Sequence, residues 1–150
     1  MSIKYDEKDA DKCFEKLSAK IRTDLGMNAP ERVESIVDEL YPLICSETLI
    51  NLDVDDVKVF CAGNIKNAGI GISTGGIETA AHNAINNMIG AGKIHNASAA
   101  IVFLSGDSSF EDMSIAMDIF QRELGLDCNI LVGLNSDMEA DVKKTVIIVQ

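Results

Sequence analysis

Residues 99–134 place an amphipathic segment between two apolar ones, and this order constrains the fold more than any other feature. Residues 99–104 are continuously apolar, which is typical of a strand covered on both faces. Ser108 and Glu111 have the spacing of a capping box, and an apolar stripe after them predicts a helix. Residues 129–134 predict a second strand. A strand–helix–strand order implies a right-handed crossover that joins two parallel strands.

Two further apolar segments extend this sheet. Residues 68–73 and residues 142–149 predict strands, and an apolar helical pattern from Ile77 to Ile89 lies after the first of them, closed by Gly90 and Gly92. The connection before the last strand is short enough to turn the chain back antiparallel. The sequence therefore predicts an α/β fold (an α+β two-layer sandwich) with a mixed sheet of about four strands.

Helices dominate the first 62 residues. A stripe formed by Phe14, Leu17, Ile21 and Leu25 predicts a helix over residues 8–25. A second helix begins near Pro30, and Pro42 should kink it or end it early. A short third helix follows over residues 54–62. We expect the first helix to cover the apolar face of the second, because an uncovered stripe favours aggregation; a homodimer through that face is the alternative.

Charge and composition exclude several classes of function. The net charge is −11, and residues 31–150 carry the whole acidic excess, which disfavours nucleic acid and anionic membranes as partners. No apolar run approaches the ~20 residues of a membrane span, and the polar N-terminus does not resemble a signal peptide, so we expect a cytoplasmic protein.

The four cysteines lack Cys-x-x-Cys spacing and fit no zinc pattern with His82 or His95. Cys13, Cys45 and Cys61 are predicted to be reduced core residues. We therefore expect no metal or cofactor.

The acidic segment Leu49-Ile-Asn-Leu-Asp-Val-Asp-Asp-Val-Lys58 resembles a loop of the bacterial FtsZ/tubulin family. With this loop, a subunit of that family completes the GTP site of the next subunit. Four later segments resemble strands of the same family in the same order, and the likeness covers about residues 33–150. They are Gly69-Ile-Gly-Ile-Ser-Thr-Gly75, Ile101-Val-Phe-Leu-Ser-Gly106, Asp127-Cys-Asn-Ile-Leu-Val-Gly133 and Lys144-Thr-Val-Ile-Ile148.

The resemblance implies a division at residue 30. Residues 30–150 are similar to the central helix, acidic loop and C-terminal domain of the family, and residues 1–29 form an N-terminal helix that matches nothing in it. The family's nucleotide-binding domain, with its glycine-rich phosphate loop, has no counterpart, so the chain is not expected to be an enzyme on its own. Asn51, Asp53 and Asp56 align with the family's Asn-x-Asp-x-x-Asp pattern, whose carboxylates polarise the water that attacks GTP in the neighbouring subunit.

This resemblance favours a partner of an FtsZ-like GTPase that caps or regulates a filament of the cell-division cytoskeleton and acts on GTP in trans. One alternative is a separately encoded half of an FtsZ-like GTPase. Another is an interaction or ligand-binding module that kept the fold without the filament role. From the residues alone, Asp53 and Asp56 also fit an ordinary helix cap.

Overall fold

The computed structural model describes residues 7–27, 29–90 and 97–150. Helices and strands alternate after an all-helical beginning. In chain order they are α1 (Glu7–Leu25), α2 (Pro30–Cys45), α3 (Val54–Phe60), β1 (Asn67–Ser73), α4 (Ile77–Asn86), β2 (Ala99–Gly106), α5 (Phe110–Leu124), β3 (Asn129–Ser136) and β4 (Lys143–Val149). No helix in these described ranges is both long and apolar enough to cross a membrane.

The four strands form one mixed sheet in the order β1-β4-β2-β3. Strands β2 and β3 run parallel on either side of the α5 crossover, as the strand–helix–strand pattern predicts. Strand β4 is antiparallel to both β1 and β2 and lies between them. The predicted mixed α/β sheet is therefore confirmed.

The chain must pass the end of β2 to bring β4 into the middle of the sheet. Gly106 makes this close passage possible: its carbonyl accepts a hydrogen bond from Asp137 N (2.8 Å), and the next residue, Asp107, donates its N–H to Val142 O (2.8 Å). Gly106 has φ +73°, and a Cβ there would lie 2.2 Å from Val142 O. Both the backbone conformation and the contact therefore require glycine.

Helices pack on both faces of the sheet. Ile101 and Phe103 of β2 point into a core shared with α1, α2 and α3, whereas Val102 and Leu104 point into a core shared with α4 and α5. Each helical layer covers one side of the continuously apolar strand. The molecule thus has a helical layer on each face rather than the single one of a two-layer sandwich, because a strand that is apolar on both faces needs two covers.

Helix α1 covers the apolar stripe of α2, as predicted. The buried apolar residues of α1 are Ala10, Cys13, Leu17, Ile21 and Leu25, and those of α2 are Val33, Ile36, Val37, Leu40, Leu43 and Ile44. Outside this interface, the Arg22 guanidinium donates two hydrogen bonds to the Glu34 carboxylate (2.8 and 2.7 Å). The apolar face of α2, through which a homodimer is the alternative prediction, is therefore occupied by the chain's own first helix.

The cysteines of this helical layer are free thiols, which agrees with the predicted reduced core. Cys13 and Cys61 are buried and Cys45 is half-buried. Burial is the main cause that raises the pKa of both Cys13 and Cys45 to about 11. Both thiols therefore stay protonated near neutral pH and are poor nucleophiles.

Pro42 does not end α2 early, and the predicted end of α4 near Ile89 is wrong. Helix α2 continues through Pro42 to Cys45, because Leu43 and Ile44 of its last turn are buried in the core and the proline removes only one hydrogen bond. Helix α4 ends at Asn86 rather than near Ile89, because the N–H of Ile89 pairs with Ala68 O of β1 (2.8 Å). Gly92, predicted to close this helix, lies outside the described residues.

The predicted capping box of α5 is also wrong by one residue. Ser109 is the N-cap, and the box is formed with Asp112 rather than between Ser108 and Glu111. Ser108 is buried, and its hydroxyl donates to Ser105 O (2.8 Å). Asp112 accepts a hydrogen bond from Lys143 at the start of β4 (2.7 Å), which selects the second of two overlapping capping patterns.

Candidate functional site: the acidic loop

The acidic loop, residues 46–53, joins α2 to α3 and is held at two points of its backbone. Ile50 N donates to Leu134 O (3.1 Å) and Leu134 N donates to Ile50 O (2.8 Å), which fastens the loop to the free edge of β3. Leu52 is buried, and its N–H donates to Leu43 O in the last turn of α2 (3.1 Å). These contacts fix the direction in which α3 begins.

Asn51, a predicted site residue, shapes the loop from within. Its Oδ1 accepts a hydrogen bond from Thr48 N (3.0 Å), and its Nδ2 donates to Leu43 O (2.8 Å) and to Ser46 O (2.5 Å). Both amide protons and one acceptor position are thus engaged by the backbone of the loop and of the last turn of α2. The structure assigns Asn51 a supporting contact, and its direct part in chemistry remains a prediction.

Asp53 is the N-cap of α3, as its spacing predicts. Its Oδ1 accepts hydrogen bonds from Asp55 N (2.9 Å) and from Asp56 N (3.1 Å). These two amides have no partner inside a helix, so the carboxylate satisfies them and stabilises the first turn by about 1 kcal/mol. The side chain is nevertheless exposed, and only its Oδ1 accepts hydrogen bonds from the described part of the chain.

Asp56 lies three residues after the cap and is exposed. Within residues 7–27, 29–90 and 97–150, its carboxylate makes neither a hydrogen bond nor an ion pair. Helix α1 touches α3 elsewhere, through Asp9, whose carboxylate accepts from Lys58 Nζ (2.9 Å). The two predicted carboxylates are therefore not covered by the first helix and can be reached by another molecule.

A third carboxylate, Asp55, belongs to the same helical turn and was not singled out from the sequence. It is exposed, and the family pattern treats its position as variable, so only its place in the first turn of α3 could have indicated it. Lys58, the cation of this helix, is engaged by Asp9, and this hydrogen bond is the main cause that raises the pKa of Lys58. The N-cap and first turn of α3 thus present three exposed carboxylates, and the nearby cation, Lys58, is hydrogen-bonded to Asp9 and also interacts with the charge of Asp55.

This arrangement restricts the chemistry of the loop. Ionised carboxylates can accept hydrogens from a water molecule and orient it, and they can attract a cation. They do not bind phosphate. In the described part of the chain, no cluster of three or more histidine, cysteine, aspartate or glutamate side chains could hold a metal ion.

Among the hollows of the described surface, two lie against the sheet and its helices. One of about 230 Å³ lies beside Asp56, between α3 and the first residues of β2 and β3. The other, of about 360 Å³, lies between α4 and α5 on the opposite face of the sheet and includes His82 and Asp118. His95, the other histidine of the chain, lies outside the described residues.

No protein-family model and no curated protein matches this sequence. Several solved structures have a similar fold. An FtsZ point mutant from M. jannaschii is 22% identical with a TM-score of 0.65, over 79% of this chain and 38% of that chain. An empty FtsZ dimer from the same organism is 20% identical with a TM-score of 0.61, over 88% and 43%. A GDP-bound CetZ monomer from Haloferax volcanii is 13% identical with a TM-score of 0.55, over 78% and 38%.

These comparisons confirm the fold that the sequence resemblance implies. The chain spans less than half the length of the FtsZ and CetZ proteins it matches. At 13–22% identity, the likeness concerns the fold and not the activity.

Proposed function

Because the chain has a partial FtsZ/tubulin-like fold, we propose that it docks its acidic loop on an FtsZ-like GTPase subunit and caps or regulates that protein's filament. The observation that carries this proposal is the state of Asp53 and Asp56. The backbone around them is held by α2 and β3, yet both carboxylates are exposed, and that of Asp56 has no partner in the described part of the chain. A rigidly held, unneutralised acidic turn suits contact with another molecule.

The chemistry of this contact divides between the two proteins. The partner holds the nucleotide and its phosphates. This chain supplies ionised carboxylates, which accept hydrogens from a water molecule and direct its lone pair toward the γ-phosphate. GTP hydrolysis would thus be promoted in trans, in the partner's site.

Capping of the filament end follows because such a contact joins the acidic loop of one subunit to the nucleotide face of another. A subunit that joins a filament through its acidic loop extends growth only if it offers a nucleotide face to the next subunit. Residues 1–150 contain no glycine-rich phosphate loop of the family's type. In the proposed arrangement, the chain therefore terminates the end on which it docks.

An assay with substoichiometric amounts tests the proposal. The 150-residue chain is added to a full-length FtsZ-like GTPase from the same cell, and sedimented polymer and released phosphate are measured together. We expect less polymer, with a change in GTP turnover per polymerised subunit. If both quantities are unchanged at every ratio, the proposed function is wrong.

Substitutions then separate docking from chemistry. Asp53→Asn and Asp56→Asn remove the charges and keep the size of the side chains, and asparagine at position 53 can still cap α3. If the carboxylates act on GTP, both variants reduce phosphate release in the mixture. Asp118→Ala is the matched control, since it removes an exposed carboxylate on α5, on the other face of the sheet; it should behave as the unmodified chain does.

A further inference from the structure

The hollow beside Asp56 has an apolar wall. Val59 and Phe60 of α3 form one side, and Ala99 and Leu131, near the starts of β2 and β3, form another. Val59 is 75% exposed, although it stands next to this concave surface. Asp56 lies on the rim and belongs to both the hollow and the acidic turn. The two features are therefore one continuous surface.

The size of the hollow suits a single large side chain. Its volume is about 230 Å³. An apolar cavity of ~150 Å³ is sufficient to bind benzene. A phenylalanine or leucine side chain from another protein therefore fits, and it would bring Val59 out of contact with water. Contacts of this kind, in which one apolar side chain enters a pocket, dominate the affinity of many interfaces.

Any protein that covers the hollow also removes bulk water from the side of Asp56 that lines it. A carboxylate that loses water without gaining a partner is strongly unfavourable. The cation of α3, Lys58, is paired with Asp9. A cation next to the occupant's apolar side chain would compensate the carboxylate of Asp56.

We infer that this hollow is a second contact point for the same GTPase subunit, and that it receives one large apolar side chain flanked by a lysine or arginine that faces Asp55 and Asp56. The inference rests on the proposed function, because the hollow and the acidic turn share Asp56 and so face one partner.

Val59→Lys tests the inference without disturbing the core. The side chain is mostly exposed and lies in the last turn of α3, where a cation is compatible with the helix dipole. It removes the apolar wall and adds a charge of the same sign as the expected partner's cation. We expect at least a tenfold loss of affinity for the full-length FtsZ-like GTPase, measured by sedimentation or surface-immobilised binding. Phe110→Lys is the matched control, since Phe110 is 59% exposed in the first turn of α5.

The outcomes separate this inference from the proposed function. If Val59→Lys binds as well as the unmodified chain while Asp56→Asn binds more weakly, the loop docks and the hollow does not take part. If Val59→Lys and Phe110→Lys lose affinity equally, the effect is one of net charge, and the inference is wrong. If the unmodified chain does not bind, the proposed function fails and the inference fails with it.

A second variant tests the hollow independently. Ser98→Phe, which would fill the hollow from an exposed position on its border, should also weaken binding.

Discussion

Helices α3 and α5 both have carboxylates at their N-terminal ends that take part in capping, but the surroundings of these carboxylates differ. At α5, Asp112 accepts hydrogen bonds from Ser109 N (2.9 Å) and from Lys143 Nζ (2.7 Å), and only 13% of its side chain is exposed. At α3, Asp53 accepts from two backbone amides and remains exposed, and Asp56 faces solvent without a partner in the described part of the chain. One acidic turn is neutralised by the fold and the other is not.

The pKa of Asp112 reflects this difference. Burial by itself raises the pKa, but the hydrogen bond from Lys143, the bonds from Ser109 and the charge of Lys143 together hold it below its usual value. The fold therefore uses the charge of Asp112 to join α5 to β4. The charge of Asp56 stabilises no such contact. A side chain that makes no contact within the fold can be changed with little loss of stability.

Asp112→Ala should have the largest effect on stability. The change removes the capping acceptor of Ser109 N and leaves the partly buried Lys143 without its carboxylate. We expect a loss of about 2 kcal/mol in the free energy of unfolding. Urea titration at neutral pH measures it. A loss below about 0.5 kcal/mol, the range of ordinary surface substitutions, would show that the fold depends on Asp112 no more than on Asp56.

The Asp112 contribution should also depend on pH. Its pKa is lowered in the folded state, so the stabilisation is fully present above the unfolded pKa, about 3.9. It is lost as the pH falls through the lower folded pKa. The difference in unfolding free energy between the unmodified chain and Asp112→Asn should therefore be constant from pH 7 to pH 5 and shrink below pH 4. A difference that grows on acidification would contradict the pairing with Lys143.

Asp53→Ala should have an intermediate effect. It removes the acceptor for the amides of Asp55 and Asp56, which costs about 1 kcal/mol. Asp53→Asn keeps an acceptor at the cap and should lower the free energy of unfolding by only a few tenths of a kcal/mol. Hydrogen exchange at the amides of Asp55 and Asp56 measures the loss of the cap locally. We expect faster exchange in the alanine variant alone. Equal exchange in both variants would mean that Asp53 does not cap α3.

Asp56→Asn should have the smallest effect on the fold. Its carboxylate has no partner in the described residues, so the free energy of unfolding should change by less than about 0.5 kcal/mol. Relief of repulsion from Asp53 and Asp55 favours a slight gain. A melting temperature several degrees lower than that of the unmodified chain would reveal a structural role for Asp56 and end the contrast with Asp112.

Sequence patterns predicted the parts of the molecule in which neighbouring residues decide the outcome. The Asp53 cap is correct because a cap acts over three residues, and the apolar residues 99–104 correctly indicated a strand with two covered faces. The capping box of α5 was misplaced because two overlapping patterns satisfy the same local rule, and Lys143 of a distant strand selects between them. The internal hydrogen bonds of Asn51 gave no sequence signal at all.

Local patterns along the chain were enough to predict the periods of the helices and strands, the helix beginnings to within a residue, and the acidic turn at residues 53–56. The folded molecule was needed to establish that β4 lies between β1 and β2, that Lys143 neutralises Asp112, and that Asp53 and Asp56 stay exposed. The reason is the range of the forces involved. Backbone propensity and capping depend on adjacent residues, whereas burial and ion pairing depend on which distant residues the fold brings together.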